Sequence, residues 1–425
     1  MKILDTYALP YVERTGFDAD LDGEERAIIE TVHRFARDVL RPTGLALDGL
    51  SAAEVIAPES PLWKVFPAFG ELGIDQQMLD ALEPAAAARV ESLIFEELGW
   101  GDAGLALSLA VAGFPAQVAA ATGNPDLVEL CEGKIGCWPV TQPDTGTDVV
   151  DTYGAERHPE GTAHKGNIVA RFKGDEIVIS GQTSAWVSNG TIAQVGALCI
   201  PADYGDGVMN ADGSPNRAVI LAPLDGAGVS RGKPLEKIGQ ISLPQGEIFF
   251  DDVVLPRSYA VSQGEAGRPG FLSMLSQAGV FMSRVFTGLA RAAFEHALIY
   301  AHERKQGGVV LAQHQTVRYR LGEMYKKVEA CRAMTRRAAQ YLHTADAPHS
   351  TVSSTSKVFV TQTAFEVAND ALQMLGGVGL TKAYPTEKLL RDARSSLIED
   401  GENFFLTLRL GTVVCDLYQS GWAND

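Results

Sequence analysis

At 425 residues the chain exceeds the size at which one hydrophobic core usually keeps growing, so two or three domains are expected. Its 46% hydrophobic and 21% charged content is that of an ordinary globular protein, and 53 acidic against 36 basic residues argues against nucleic acid as the main partner. Five scattered cysteines without a CxxC pair indicate neither a disulfide framework nor a zinc site, and suggest reduced thiols in a cytoplasmic chain.

The opening MKILDTYALPYVERTGFDAD has no long apolar segment, and no run of about 20 apolar residues stands out, so no membrane span is expected. From Glu24 to Leu40, residues Ile28, Val32, Phe35, Ala36 and Val39 recur at helical spacing, and Arg41-Pro42 is expected to end that helix. ARVESLIFEELGW and the apolar AGLALSLAVAGFPAQVAAAT extend a helical region to about residue 135, the second as a buried helix. After Gly136, β-branched runs such as NIVARF, EIVISG, AVILAPL and EIFFDDVVLP alternate with Gly, Asn, Asp and Pro clusters. No long helices separate these strands, which points to an antiparallel sheet or barrel; MNADGSPN is expected to be an exposed loop.

Helical patterns return at roughly 271–303, 314–344, 354–375 and 402–420. The expected fold class is therefore α+β and multidomain: an N-terminal α-helical domain (1–135), a middle antiparallel, barrel-like β domain (136–256) and a C-terminal four-helix bundle (257–425).

Three segments together resemble the acyl-CoA dehydrogenase superfamily of flavoproteins, which has this helix, sheet, helix order. WPVTQPDTGTD (138–148) is similar to the family's Thr-Glu-Pro-x-x-Gly-Ser-Asp, and WVSNG (186–190) to its Trp-Ile-Thr-Asn-Gly. The resemblance implies bound FAD, with Trp138, Thr141, Thr147, Trp186, Val187 and Ser188 at the flavin. Taken alone, each stretch also reads as a turn or as core beside a turn. YAHERKQGG (300–308) and QHQTV (313–317) are similar to the family's Tyr-Ala-x-x-Arg-x-Gln-Phe-Gly and its following glutamine. They nominate Arg304 for the diphosphate and Gln315 as the matching glutamine, with Gly307 in place of an aromatic residue. A solvated arginine at a helix C-terminus is the structural alternative for Arg304.

QMLGGVGLTKAYPTEKLLRDAR (373–394) is the third segment. Its glycines follow a helical pattern, not a strand, so they read as a helix cap and turn, not as a dinucleotide fingerprint. In the resembled family such a turn closes over the FAD diphosphate of a neighbouring subunit. That implies a role for Gln373, Gly376 and Gly377 and a homo-oligomer, dimer or tetramer; RDAR reads as a structural ion-pair patch.

Family enzymes take an α proton from an acyl-CoA thioester with a carboxylate and pass hydride to the flavin. Aligning RDAR, Ile398 and Gly401 with Ile-Tyr-Glu-Gly-Thr places Asp400 at the base position, Glu399 at the tyrosine and Glu402 at the threonine. The other base position known in the family corresponds to Ala278, flanked by Gln277 and Gly279, where no carboxylate is available. Asp400 as a plain cap of the helix near Asn403 is the structural alternative. Thr147, Arg284 and Gly401 are nominated for substrate, Arg284 because the family's arginine near the thioester falls on Gly279. Ile241 and Gln245 replace the usual Arg and Thr of a strand hairpin, and the aspartate is one methylene shorter than the usual glutamate. These departures suggest a cyclic or bulky acyl thioester, with an electron-transfer flavoprotein as acceptor. A nitroalkane-oxidase-like enzyme shares the order Asp400-Gly401-Glu402-Asn403 but would carry an arginine where Thr407 stands; a non-catalytic flavin-binding homologue is the third reading.

Overall fold

A computed structural model describes residues 21–419 apart from Asp75, 152–155, 157–165, 211–213 and 347–348. The opening stretch of residues 1–20, and residues 211–213 of the expected loop, lie outside the described residues.

Helix α1 (Gly23–Phe35) starts on a reciprocal cap, in which Asp22 accepts from the Glu25 amide and Glu25 from the Asp22 amide. The helix does not end at Pro42, as the sequence suggested. A π turn over Ala36–Leu40 widens it, and α2 (Arg41–Leu47) carries on with Pro42 in its first turn, where a missing N–H costs least. Short helices α3 (Ala52–Val55), α4 (Val65–Gly70) and α5 (Gln76–Asp80) lead to α6 (Pro84–Gly101), α7 (Ala103–Thr122) and α8 (Pro125–Cys131). Contrary to expectation, α7 is long and apolar enough to cross a membrane by composition. Its first turns are packed inside the protein, with Leu105 and Ala106 fully buried.

The middle sheet holds β1 (Gly136–Cys137), β2 (Ile168–Lys173), β3 (Glu176–Gln182), β4 (Val195–Asp203), β5 (Arg217–Pro223), β6 (Val229–Arg231), β7 (Ile248–Pro256) and β8 (Ala260–Ser262). Their order is β6-β7-β3-β2-β4-β5-β8, with β1 beside β4. The pairing is antiparallel except where β4 meets β1 and β2. In β2, inward Ile168 and Ala170 alternate with more open neighbours, the pattern of a strand wet on one side. β4 and β5 are buried on both faces, because α7 and the long helix α9 (Gly267–Glu303) cover them.

A hairpin of β9 (Lys305–Gln306) and β10 (Val309–Val310) joins α9 to α10 (Gln315–Thr344). Then follow α11 (Ser350–Leu375), α12 (Thr386–Ser396) and α13 (Asn403–Gln419). Four of these are the expected long helices; α12 is an additional one that folds from the TEKLLRDAR run. Gly288 lets α9 approach α6 closely, since a β-carbon there would fall 1.9 Å from the Glu96 carbonyl oxygen.

Between these helices lies a paired charge cluster. Arg291 bridges Glu96 at 2.9 Å and Glu97 at 2.5 Å, Arg332 joins Glu96 at 2.9 Å and Glu329 at 2.6 Å, and His33 meets Glu97 at 2.7 Å. Above it Arg41 stacks on Trp100, 3.4 Å from the ring centre.

Candidate active site

The loop between α12 and α13 presents the candidate base. Asp400 and Gly401 both take left-handed backbone, with φ of 48° and 97°. Aspartate tolerates this region better than most residues, and glycine is required next to it, because a β-carbon on Gly401 would press on Leu406 at 2.9 Å. Asp400 is open to solvent, yet burial of its surroundings raises its pKa to about 6, with Lys357 pulling the other way. The loop is tied from two sides. The Glu402 amide donates to Thr147 Oγ1 at 3.2 Å, and Lys357 Nζ on α11 donates to the Gly401 carbonyl at 2.6 Å and to Asn403 Oδ1 at 2.8 Å. Asp400 does not cap α13. Glu402 does, accepting from the Phe404 and Phe405 amides at 3.0 and 2.9 Å.

Beside the base, burial raises Glu399 to about 7, while Gln240 donates to it at 2.9 Å and Lys237 opposes the rise. The neighbouring Asp400 charge adds to the rise. Gln240 belongs to the segment that carries Ile241 and Gln245. In that segment Lys237 Nζ reaches the Leu243 carbonyl and Gln245 Oε1, and Gln245 Nε2 reaches Ser188 Oγ at 3.4 Å. Below, Asp392 accepts from the Gln240 amide and from Lys388, which also donates to Asp102 at 2.6 Å. Arg391 pairs with Asp48 and Glu387. The RDAR run is thus bonded to the first helices and the middle segment.

The two candidate flavin stretches meet each other. Thr141 and Ser184 hydroxyls lie 2.6 Å apart, and the Ser184 amide donates to the Thr141 carbonyl at 2.9 Å. Trp186 projects an indole that is 63% exposed, Val187 is buried in the sheet core, and Ser188 is half-buried. Thr147, six residues after Thr141 in the same stretch, bonds the base loop. Trp138 differs from its neighbours: its indole N–H donates to Cys199 Sγ at 3.2 Å, and its ring packs on Phe114, so its side chain is engaged in the interior.

Arg304, Gln315, Gln373, Gly376 and Gly377 are exposed at the opposite end of the bundle. Arg304 follows the last turn of α9 and Gln315 opens α10, while Gly376 caps α11 with φ of 65°. Tyr300 and Tyr384, ring centres 5.5 Å apart, hold this end together. At 1.5 Å per residue, Gly376 lies roughly 28 Å along α11 from Lys357. The candidate residues therefore form two groups.

Arg284 requires a correction. It is 2% exposed, bonded to Ser92 and paired with Glu91 at 2.8 Å, so its guanidinium is committed between α9 and α6 and is not free for a substrate. Gly279, where the family's arginine was expected, packs tightly on Ser353, since a β-carbon would fall 2.3 Å from its hydroxyl. Sequence reasoning missed Lys357, Lys237 and Gln240. For Lys357 a signal existed, because it is the lone basic residue in the 26 residues of α11.

Residues 271–412 match the family profile described as acyl-CoA dehydrogenase, C-terminal domain. Benzylmalonyl-CoA dehydrogenase of Aromatoleum aromaticum is 28% identical over 400 residues, which span 92% of this chain and 98% of that protein. The probable acyl-CoA dehydrogenase YngJ of Bacillus subtilis is 30% identical over 277 residues, 65% of this chain and 67% of that protein. Among solved structures, glutaryl-CoA dehydrogenase from Mycobacterium smegmatis superposes with a TM-score of 0.77 at 22% identity, covering 94% of this chain and 96% of the other.

Proposed function

Because the chain belongs to the acyl-CoA dehydrogenase family, we propose that it is an FAD-dependent enzyme oxidising the Cα–Cβ bond of a cyclic or bulky acyl-CoA thioester, with Asp400 as base. The base loop is the observation that carries this reading. A carboxyl with a pKa of about 6 is ionised at neutral pH and is still a competent base, because general bases work best near the operating pH. It stands on a loop tied to Thr147, which lies in the same stretch as Thr141, and Thr141 bonds Ser184.

The wall of Thr141, Ser184, Trp186 and Ser188 fits a flavin, with hydroxyls and amides for a hydrogen-bonding edge and an open indole as an apolar cover. Thr141, Thr147, Val187 and Ser188 would hold the ring edge and Trp186 its face. Arg304 and Gln315 would meet the diphosphate. FAD, when bound, supplies at N5 the acceptor for the hydride leaving Cβ. Asp400 takes the α proton onto its carboxylate, while Gly401 and Thr147 flank the thioester. The shorter aspartate requires the reacting carbon to come close, which suits a rigid acyl group; a relative named for benzylmalonyl-CoA supports a bulky one. The roughly 28 Å along α11 between Lys357, which bonds the base loop, and Gly376 supports a homo-oligomer, dimer or tetramer, in which the Gln373–Gly377 turn serves a neighbouring copy's FAD. An electron-transfer flavoprotein is the proposed acceptor, and the cytoplasm the proposed location.

Anaerobic addition of acyl-CoAs of varied shape to the flavin-loaded enzyme is expected to bleach the flavin. Asp400→Asn is expected to keep the flavin and slow its reduction about 10³- to 10⁴-fold. Undiminished reduction in that variant would remove Asp400 as base. Bleaching by nitroethane alone, with peroxide formed in air, would favour the oxidase reading.

A further inference from the structure

We propose that Lys357, buried beneath the loop that carries Asp400, is a positioning residue that fixes the base and limits the pH range over which it works. The proposal rests on the assignment of Asp400 as base.

Lys357 is fully buried. Among the described residues no carboxylate lies within ion-pair distance of it; its ammonium donates only to the Gly401 carbonyl and Asn403 Oδ1. Asn403 is held in turn by Thr361, one helical turn further along α11. A buried cation without an ion-pair partner is costly, and an apolar residue would fill the space on a helix otherwise free of basic residues. What the ammonium does here is hold the carbonyl that directly follows Asp400, in a turn where both residues have left-handed backbone. Thr147 holds the next amide from the sheet side. The Gly401–Glu402 peptide, directly after the base, is thereby clamped between α11 and the Thr147 turn.

The charges around this point come from every neighbouring element. Asp400, Glu399 and Glu402 face Lys357 from the loop, and Lys237 faces Glu399 from the middle segment. Burial draws Lys357 down to about 8, against the pull of Asp400 first, then Glu399 and Glu402. The ammonium in turn holds Asp400 lower than burial alone would. Two limbs follow. Below about 6 Asp400 is protonated and cannot accept the α proton. Above about 8 Lys357 loses its charge and the clamp weakens. The rate of flavin reduction is then bell-shaped in pH, with the alkaline limb belonging to a residue that never touches the substrate.

The test compares wild type, Lys357→Met and Lys357→Arg, each loaded with FAD. Flavin reduction by an accepted acyl-CoA is followed from pH 5.5 to 9.5, and the Asp400 carboxyl is titrated separately by infrared difference spectroscopy. Lys357→Met is expected to retain flavin and acyl-CoA affinity and to lose reduction rate by about 10²-fold. Its Asp400 should titrate about one unit higher, because removing a nearby cation favours the protonated acid. Its alkaline limb should disappear. Lys357→Arg, which stays charged, should restore the rate without that limb. A Lys357→Met enzyme with the wild-type profile and an unmoved carboxyl would reduce Lys357 to packing. If Lys357→Met does not fold, the arginine variant decides, and an alkaline limb that persists there overturns the proposal. A wild-type flavin that no acyl-CoA bleaches would instead overturn the proposed function, and this inference with it.

Discussion

Arg291 and Lys357 are both cations buried in the helical part of the molecule, and their surroundings treat them in opposite ways. Around Arg291 every charge has a partner at hydrogen-bond distance, shared among Glu96, Glu97, Glu329 and Arg332. Although burial works against both ions, the carboxylates push Arg291 upward, and Arg291 with His33 holds Glu97 down to about 2. Around Lys357 there is no close pairing, and burial dominates. Asp400 rises to about 6, Glu399 to about 7, and Lys357 falls to about 8. The first cluster fixes its charges. The second brings three groups to the edge of proton transfer at neutral pH, a property that supports it as the proposed site.

The largest effect that would sharpen this contrast is on stability. Arg291→Met leaves buried Glu97 to His33 alone and Glu96 to Arg332, so unfolding by denaturant should show a loss of about 3–5 kcal/mol; a change under about 1 kcal/mol would mean that the cluster is not held by pairing. Its pH dependence should also differ from that of the site. The depressed Glu97 stabilises the fold above its unfolded value near 4.5, and this contribution is lost only as pH falls toward about 2. The raised carboxyls of Asp400 and Glu399 carry the opposite sign: their protonation favours the fold, and that contribution is lost as pH rises through about 6 and 7. Smaller is the expected effect of Glu399→Gln. Infrared titration of wild type should show two carboxyls ionising with apparent values near 6 and 7, and the variant only the step near 6. Two remaining steps would place the second proton elsewhere. Smallest is Glu402→Ala, which removes the α13 cap and should cost about 1 kcal/mol by thermal melting, with Asp400 unmoved.

The contrast also shows what was legible in the sequence. Helix periodicity located α9 and α10 to within a few residues, because each buries a long apolar stripe, and it located α13 although that helix buries only Asn403 and Leu406. Pro42 misled, since the π turn that accommodates it has no local signature. In Asp400-Gly401 the sequence did carry a backbone signal, because that dipeptide suits left-handed turns. Arg284 was misplaced for the opposite reason. A guanidinium's partner is set by helix packing, and Glu91 lies almost two hundred positions away in the chain. Lys357 and Gln240 were missed likewise, their partners being 44 and 159 residues distant. Long-range bonds of this kind leave no spacing to read.

The left-handed turn at Asp400 has a consequence for how such an enzyme can change. A short polar side chain sits comfortably at positive φ, whereas a longer one gains reach but fits that backbone less readily. Lengthening the base by one methylene is thus not a change a single codon delivers cleanly. A descendant that shifted to substrates held farther away would have to rebuild the turn along with the acid, so the shape of the peptide acts as a brake on the drift of specificity.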